Sequence, residues 1–150
     1  MIFITFRSKV DTFFIMFMLI VTLIIGVVAL VPLFLDNAEL ATVLILISTF
    51  LFTVGLILWS TFNVKYIFYE DFLFLQGGPF RSRIPYDQIT KITPTSDILT
   101  GYRILTSKDA IEIFYTPSLL GSVKISPEDQ MGFIAELKKR CPNVYKKGFQ

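Results

Sequence analysis

The stretch that decides the architecture is FFIMFMLIVTLIIGVVALVPLFL, residues 13–35, followed after Asp36-Asn37-Ala38-Glu39 by LATVLILISTFLFTVGLILWSTF, residues 40–62. Each run is 23 residues without a charge. As a helix, either would rise about 34 Å, enough for a hydrocarbon core of roughly 30 Å. Four residues between them are too few for anything but an antiparallel helical hairpin. The sequence therefore predicts transmembrane helices over 13–35 and 40–62.

Working outward, the charge is segregated. Residues 12–62 hold two acids, Asp36 and Glu39, and no Lys or Arg, whereas residues 63–150 hold twelve of the fourteen basic residues and nine of the twelve acids. Overall, 17% of the 150 residues are charged and 53% hydrophobic, with a mean hydropathy of +0.64. A soluble domain carries about 25% charged residues, so this composition opposes a freely soluble globule. The chain divides into a membrane anchor, 1–62, and a water-facing domain, 63–150. A cleaved signal peptide is the competing reading of the first run. The run exceeds the usual apolar length of about 7 to 15 residues, and no small-x-small cleavage pattern precedes the second run.

Several details of the hairpin follow. Asp36 and Glu39 have capping-box spacing, which predicts that the second helix starts near Asn37. Pro32 falls in the last turn of the first helix, where a kink costs least. Arg7, Lys9 and Lys65 flank the helices while the connecting loop carries only acids, so both termini are expected in the cytoplasm. Trp59, Phe62 and Tyr66 suit an interfacial aromatic belt. Small residues at Thr22, Gly26 and Ala29, and at Ala41, Ser48 and Gly55, suggest a packing seam. That seam serves either the hairpin or a homo-oligomer formed through Gly26, Ala29, Ser48 and Gly55. No ionisable residue lies within either span, which argues against a proton relay or a charged ion path.

Beyond Phe62 the pattern turns to short runs with partial alternation, such as Phe80-Arg81-Ser82-Arg83-Ile84. Seven strands are predicted, over 64–69, 72–76, 80–85, 89–93, 102–106, 111–115 and 122–126. Strands this short and closely spaced suggest an antiparallel sandwich or barrel. A helix then follows over 127–140, with Ser126 as N-cap, Pro127 at the first helical position and Asp129 as the capping acid. Phe133, Ile134, Leu137 and Cys141 form its apolar stripe. Lys138, Lys139 and Arg140 complement its dipole, and Pro142 ends it.

Little in the chain points to chemistry. There is no histidine, and the single Cys141 can close no internal disulfide nor anchor a Cys-rich metal site. Glu70-Asp71 reads as a tight turn and Glu128-Asp129 as a helix start. Ser82, Ser107 and Ser118 have no histidine to activate them, and no phosphate-cradling loop occurs. The sequence predicts no enzyme, no metal and no cofactor, and a net charge of +2 is too small to suggest a nucleic-acid partner. The sharpest binding-site candidate is cationic: Arg81 and Arg83 project from one strand face, with Lys91 nearby, where anionic lipid headgroups or a partner could bind.

Residues 66–140 carry a resemblance. Tyr66-x-x-Tyr69-Glu70-Asp71-x-Leu73 and Gly77-Gly78-Pro79 are followed by Ile84-Pro85-Tyr86-Asp87-Gln88-Ile89-Thr90-Lys91-Ile92-Thr93-Pro94-Thr95. Then come Leu105-Thr106-Ser107-Lys108-Asp109-x-Ile111-Glu112-Ile113 and Ile125-Ser126-Pro127-x-Asp129, with Phe133 and Leu137. In this order they resemble the bacterial PH domains of the YyaB-like type, a group that also looks similar to the sublancin immunity protein SunI. The resemblance implies an α+β PH-like domain, seven antiparallel strands and a C-terminal helix, serving as a binding or scaffold platform rather than a catalyst. It suggests as an alternative an immunity protein that shields the membrane from an antimicrobial peptide. One segment departs from the group: Ser96-Asp97-Ile98-Leu99-Thr100-Gly101 stands where a serine- and proline-containing stretch is usual.

Overall fold

The uncharged runs can satisfy their backbone groups only by coiling. In the computed structural model, which describes residues 3–35, 37–116 and 120–146, they form α1 (Thr12–Leu30), a short α2 (Pro32–Leu35) and α3 (Leu40–Phe62). Pro32 has no amide to donate and breaks the first helix after Leu30. Together Thr12–Leu35 and Leu40–Phe62 are long and apolar enough to cross a membrane. Along their seam Gly26 lets the helices approach, since a Cβ there would lie 3.3 Å from the Phe50 ring. The second helix begins at Leu40 rather than near Asn37. Glu39 is its N-cap by position but makes no side-chain capping bond, and the Asp36 half of the expected capping box lies outside the described residues.

Nine strands occur among the described residues, two more than expected. β1 (Ile4–Arg7), β2 (Val64–Phe68), β3 (Phe72–Gly77) and β4 (Phe80–Pro85) form an antiparallel sheet in that order. A 3-10 turn, Tyr86–Gln88, then carries the chain to a second sheet. This contains β5 (Ile89–Thr95), β6 (Tyr102–Ile104), β7 (Ala110–Tyr115), β8 (Ser122–Ile125) and β9 (Tyr145–Lys146), in the order β6-β8-β7-β5-β9. The sheets are antiparallel except at β6 with β8 and β5 with β9, which run parallel. Helix α4 (Gln130–Arg140) packs Phe133, Ile134 and Leu137 into the space between them.

β1 was not legible because its partner β2 lies some sixty residues further on, beyond both helices. Its pairing also qualifies the division of the chain at residue 62: Ile4–Arg7, on the helical side of that boundary, is an edge strand of the β-structure. Phe6 faces inward, its ring 5.6 Å from Phe68 and 5.4 Å from Phe133. Tyr66, expected at a membrane surface, is instead fully buried in this core.

The segment joining β1 to α1 is held by a knot of buried hydroxyls. The Ser8 hydroxyl lies 2.7 Å from that of Thr106 and 2.9 Å from that of Ser126. Tyr66 donates its phenol proton to the Ile104 carbonyl at 2.6 Å and accepts the Ser126 amide at 3.1 Å. The Ser126 Oγ in turn accepts the Thr106 amide at 2.9 Å, and Lys9 donates its amide to the Ser126 carbonyl. So engaged, Ser126 is not the cap of α4. Asp129 is, accepting the Gly132 amide at 2.9 Å, and the helix starts at Gln130 rather than Pro127.

Asp11 ends the knot and caps α1. Its carboxylate accepts the Phe14 amide at 2.8 Å, the Lys108 amide at 2.8 Å and the Ser107 hydroxyl at 2.9 Å. Burial pushes its pKa up, but these three donors together with the Lys9 charge outweigh it and hold the carboxyl below its ordinary value. At the other helix, the β3–β4 turn presses on the last turn of α3. Gly78 has φ +57° and a Cβ there would lie 2.6 Å from the Ser60 Cα, so no other residue fits.

Two outcomes follow for the purified full chain. Asp11→Ala should cost about 1–2 kcal/mol, read as a lowered unfolding midpoint, and the loss should shrink in acid, because the stability from a depressed carboxyl pKa disappears as pH falls through it. An unchanged midpoint would show that the cap does not hold α1 to the sheet. In base the sign reverses: burial pushes the Tyr66 phenol up to about 12 from 10, so its contribution is complete below pH 10 and is lost as pH rises from about 10 towards 12. Tyr66→Phe, less stable at neutral pH, should show a shallower alkaline decline in thermal melts.

Candidate functional site

Where the helix pair meets the β-structure, the two surfaces do not close. They leave a crevice of about 510 Å³. One wall is the start of α1, with Phe14, Phe17 and Met18; another is the C-terminal half of α3, with Phe52, Thr53, Leu56, Ile57, Ser60 and Thr61. The β-structure closes the third side with Val64, Gly77, Phe80, Arg103 of β6 and the run Ile104-Leu105-Thr106, and the loop between β5 and β6 adds Ile98 and Leu99. Most of this lining is apolar, and its threonine hydroxyls are spent internally. Thr53 and Thr61 each donate to a carbonyl one turn back at 2.8 Å, and Thr106 donates to the Lys9 carbonyl at 2.7 Å.

The loop wall is braced from below. Asp97 accepts the amides of Leu99 and Thr100, the Thr100 hydroxyl, and the Lys124 ammonium at 2.9 Å. The Thr100 hydroxyl and then Lys124 hold the Asp97 carboxyl far below the usual carboxylate range. Lys124 is buried, its side chain 6% exposed, and also donates to the Thr100 carbonyl at 3.0 Å. Arg103 donates from Nη1 to the carbonyls of Ile98 and Leu99. These bonds hold the Ser96–Gly101 segment, the stretch that departs from the group's pattern, against the crevice.

The cations divide differently from the expectation. Arg81 and Arg83 do share the outer face of β4, but Lys91 belongs to β5 in the second sheet, with its ammonium 5.0 Å over the Phe114 ring. The turn at Tyr86–Gln88 moves the chain between sheets and separates them. The register instead aligns Arg7 with Lys65, Lys65 with Gln76 and Gln76 with Arg81. This row runs across all four strands of the first sheet, on its exposed face, at the end where the chain passes into α1 and out of α3. Arg7 and Lys65 were visible in the sequence as charges flanking the helices; only the ladder puts them beside Arg81. Arg83 lies one pair further from the helices, 5.6 Å over the Phe72 ring.

The small residues also separate. Gly26 and Ala29 are half-buried on the α1 side of the helix seam, whereas Ser48 and Gly55 are exposed, with no atom within 4 Å of where a Gly55 Cβ would be. A single contact face shared by all four is therefore not what the helix pair presents.

Reactive chemistry finds little support. An open depression between the two sheets is lined by Glu70, Asp71, Tyr86, Asp87, Arg140 and Cys141. The thiol there is buried and donates to the Tyr86 carbonyl, and burial pushes its pKa up to about 11 despite Arg140 beside it. It is thus a protonated, poorly nucleophilic group at neutral pH. Glu70-Asp71 forms the β2–β3 turn, as the sequence suggested, and Asp129 caps α4 in place of Ser126. Among the described residues no three His, Cys, Asp or Glu side chains gather as metal ligands.

Residues 64–141 match the sequence profile of the "Bacterial PH domain" family. The chain is also 33% identical over 139 residues to the uncharacterized protein YyaB of Bacillus subtilis (strain 168), covering 93% of this chain and 94% of that protein, a span that takes in the helix pair. The profile begins at β2, so the strand that completes the first sheet, β1, lies outside it. Two sheets closed by a C-terminal helix agree with a PH-like body. With more than half its length inside the profile and a relative at this identity along nearly its whole chain, the protein belongs to the bacterial PH domain family.

Proposed function

We propose that this protein is a membrane-anchored binding or scaffold module, without catalysis, whose PH-like body lies against the cytoplasmic face of a bacterial inner membrane. The observation that carries the reading is the row Arg7, Lys65 and Arg81, which crosses the sheet at the foot of two helices long and apolar enough to span a bilayer. Cations at that level meet anionic headgroups, and each contributes about 1 kcal/mol near a negatively charged surface. They also bias both chain ends towards the cytoplasm. The rest of the outer face and the second sheet stay available to a protein partner, the usual role of a fold without catalytic machinery.

The anchor is tested by alkaline carbonate extraction and by a reporter fused after Gln150. The chain should stay with the membranes and the reporter should be active only in the cytoplasm. A folded, monodisperse chain in detergent-free extract, or a periplasmic reporter, would sink the reading. The cation row is tested separately with a fluorophore on Gln76→Cys, a site distinguishable because the native thiol is buried. In vesicles containing phosphatidylglycerol the label should be shielded from aqueous iodide. Replacing Arg7, Lys65 and Arg81 by Gln should remove that shielding, as should about 1 M salt.

A further inference from the structure

We infer that the crevice between the helix pair and the β-structure is a lipid site, taking one acyl chain of an anionic phospholipid from the surrounding leaflet, with Arg103 receiving its phosphate. The inference rests on the membrane-anchored reading and gives its binding site a ligand class.

At about 510 Å³ the crevice falls within the roughly 300–1,000 Å³ of small-molecule sites. It is poor in free polar groups, since its threonine hydroxyls bond to neighbouring carbonyls, so water entering it would find few partners. Left empty it would forfeit dispersion contacts along its whole lining. An acyl chain restores those contacts without desolvating anything. The access route is equally specific. Phe17, Phe52 and Leu56 line the crevice and are themselves exposed on the outer surface of the helices, so the cavity is continuous with the surface that meets lipid tails. Phe80 and Leu99, 62% and 66% exposed, extend that apolar surface onto the β-structure.

Charge sets which end of the lipid goes where. Among the described residues Arg103 is the one ionisable residue in the lining. Among the described residues its bonds, to Ile98 and Leu99, use Nη1, so Nε and Nη2 can meet a phosphate oxygen. The acid closest in the loop, Asp97, is already committed to Thr100 and to the buried Lys124 and does not neutralise it. The same Lys124–Asp97 pair braces the loop in place, so the wall is built before any ligand arrives.

The test uses the full chain, purified in mild detergent, delipidated and titrated with palmitoyl-oleoyl phosphatidylglycerol, the matching phosphatidylethanolamine, and palmitate, with retained ligand counted by native mass spectrometry. One phosphatidylglycerol per chain should survive washing. Thr53→Trp and, from the opposite wall, Met18→Trp should each fill the crevice and weaken retention about tenfold, with unchanged far-ultraviolet circular dichroism in at least one of them. Arg103→Gln should keep the chain bound but lower the preference for phosphatidylglycerol over phosphatidylethanolamine about fivefold. Lipid counts unchanged in both tryptophan variants, or palmitate retained as well as phosphatidylglycerol, would overturn the inference while a carbonate-resistant chain left the membrane reading standing. A chain that needs no detergent would overturn both.

Discussion

The pairing of β1 with β2 is the constraint on which the rest of the molecule depends. These strands lie on either side of the helix pair in the sequence, and their ladder brings Arg7 opposite Lys65. The start of α1 and the end of α3 must therefore meet the same edge of one sheet. A two-helix hairpin would bring its own ends together in any case, but without the ladder the β-structure would hang from α3 by a single strand. The hydroxyl knot of Ser8, Tyr66, Thr106 and Ser126, and the triple acceptance by Asp11, then remove the remaining freedom. Buried polar groups of this kind are costly unless every one is paired, so the knot accepts one arrangement of the two parts.

That rigidity creates both surfaces of interest. Fixing the helices at one edge of the sheet lines up the outer-face cations level with the helix ends, and it leaves an unfilled wedge where cylindrical helices meet a twisted sheet. The β5–β6 loop closes the wedge, and it does so through a buried lysine whose charge is met by Asp97 and the Thr100 carbonyl. A free-swinging tether would keep neither feature.

Much of the fold was legible in the amino acids. Two uncharged runs of helix-spanning length, alternation in the strands and the apolar stripe of α4 all express local solvent preference, and each reappears in the structure. The elements that escaped were β1 and β9, four and two residues long, whose existence depends on partners far away in the chain. Tyr66 was misplaced for a related reason. A tyrosine just past an apolar helix looks interfacial until the strand after the helix is known to turn that side chain inward. Ser126 looked like a helix cap, which a serine before proline often is, but the knot had a stronger use for its hydroxyl and amide.

The candidate site divides along the same line. Composition and periodicity alone determined that the chain has a lipid-compatible part and a part of short strands followed by a helix, that its cations gather outside the apolar runs, and that it holds no histidine. These are properties of segments, set by how each partitions between water and an apolar solvent. Which cations stand together, Arg7 and Lys65 with Arg81 rather than Lys91, and whether any cavity exists, were decided only by the tertiary structure. Register between strands and the gap between packed bodies arise from pairings across long sequence separations, and no local pattern of residues encodes them.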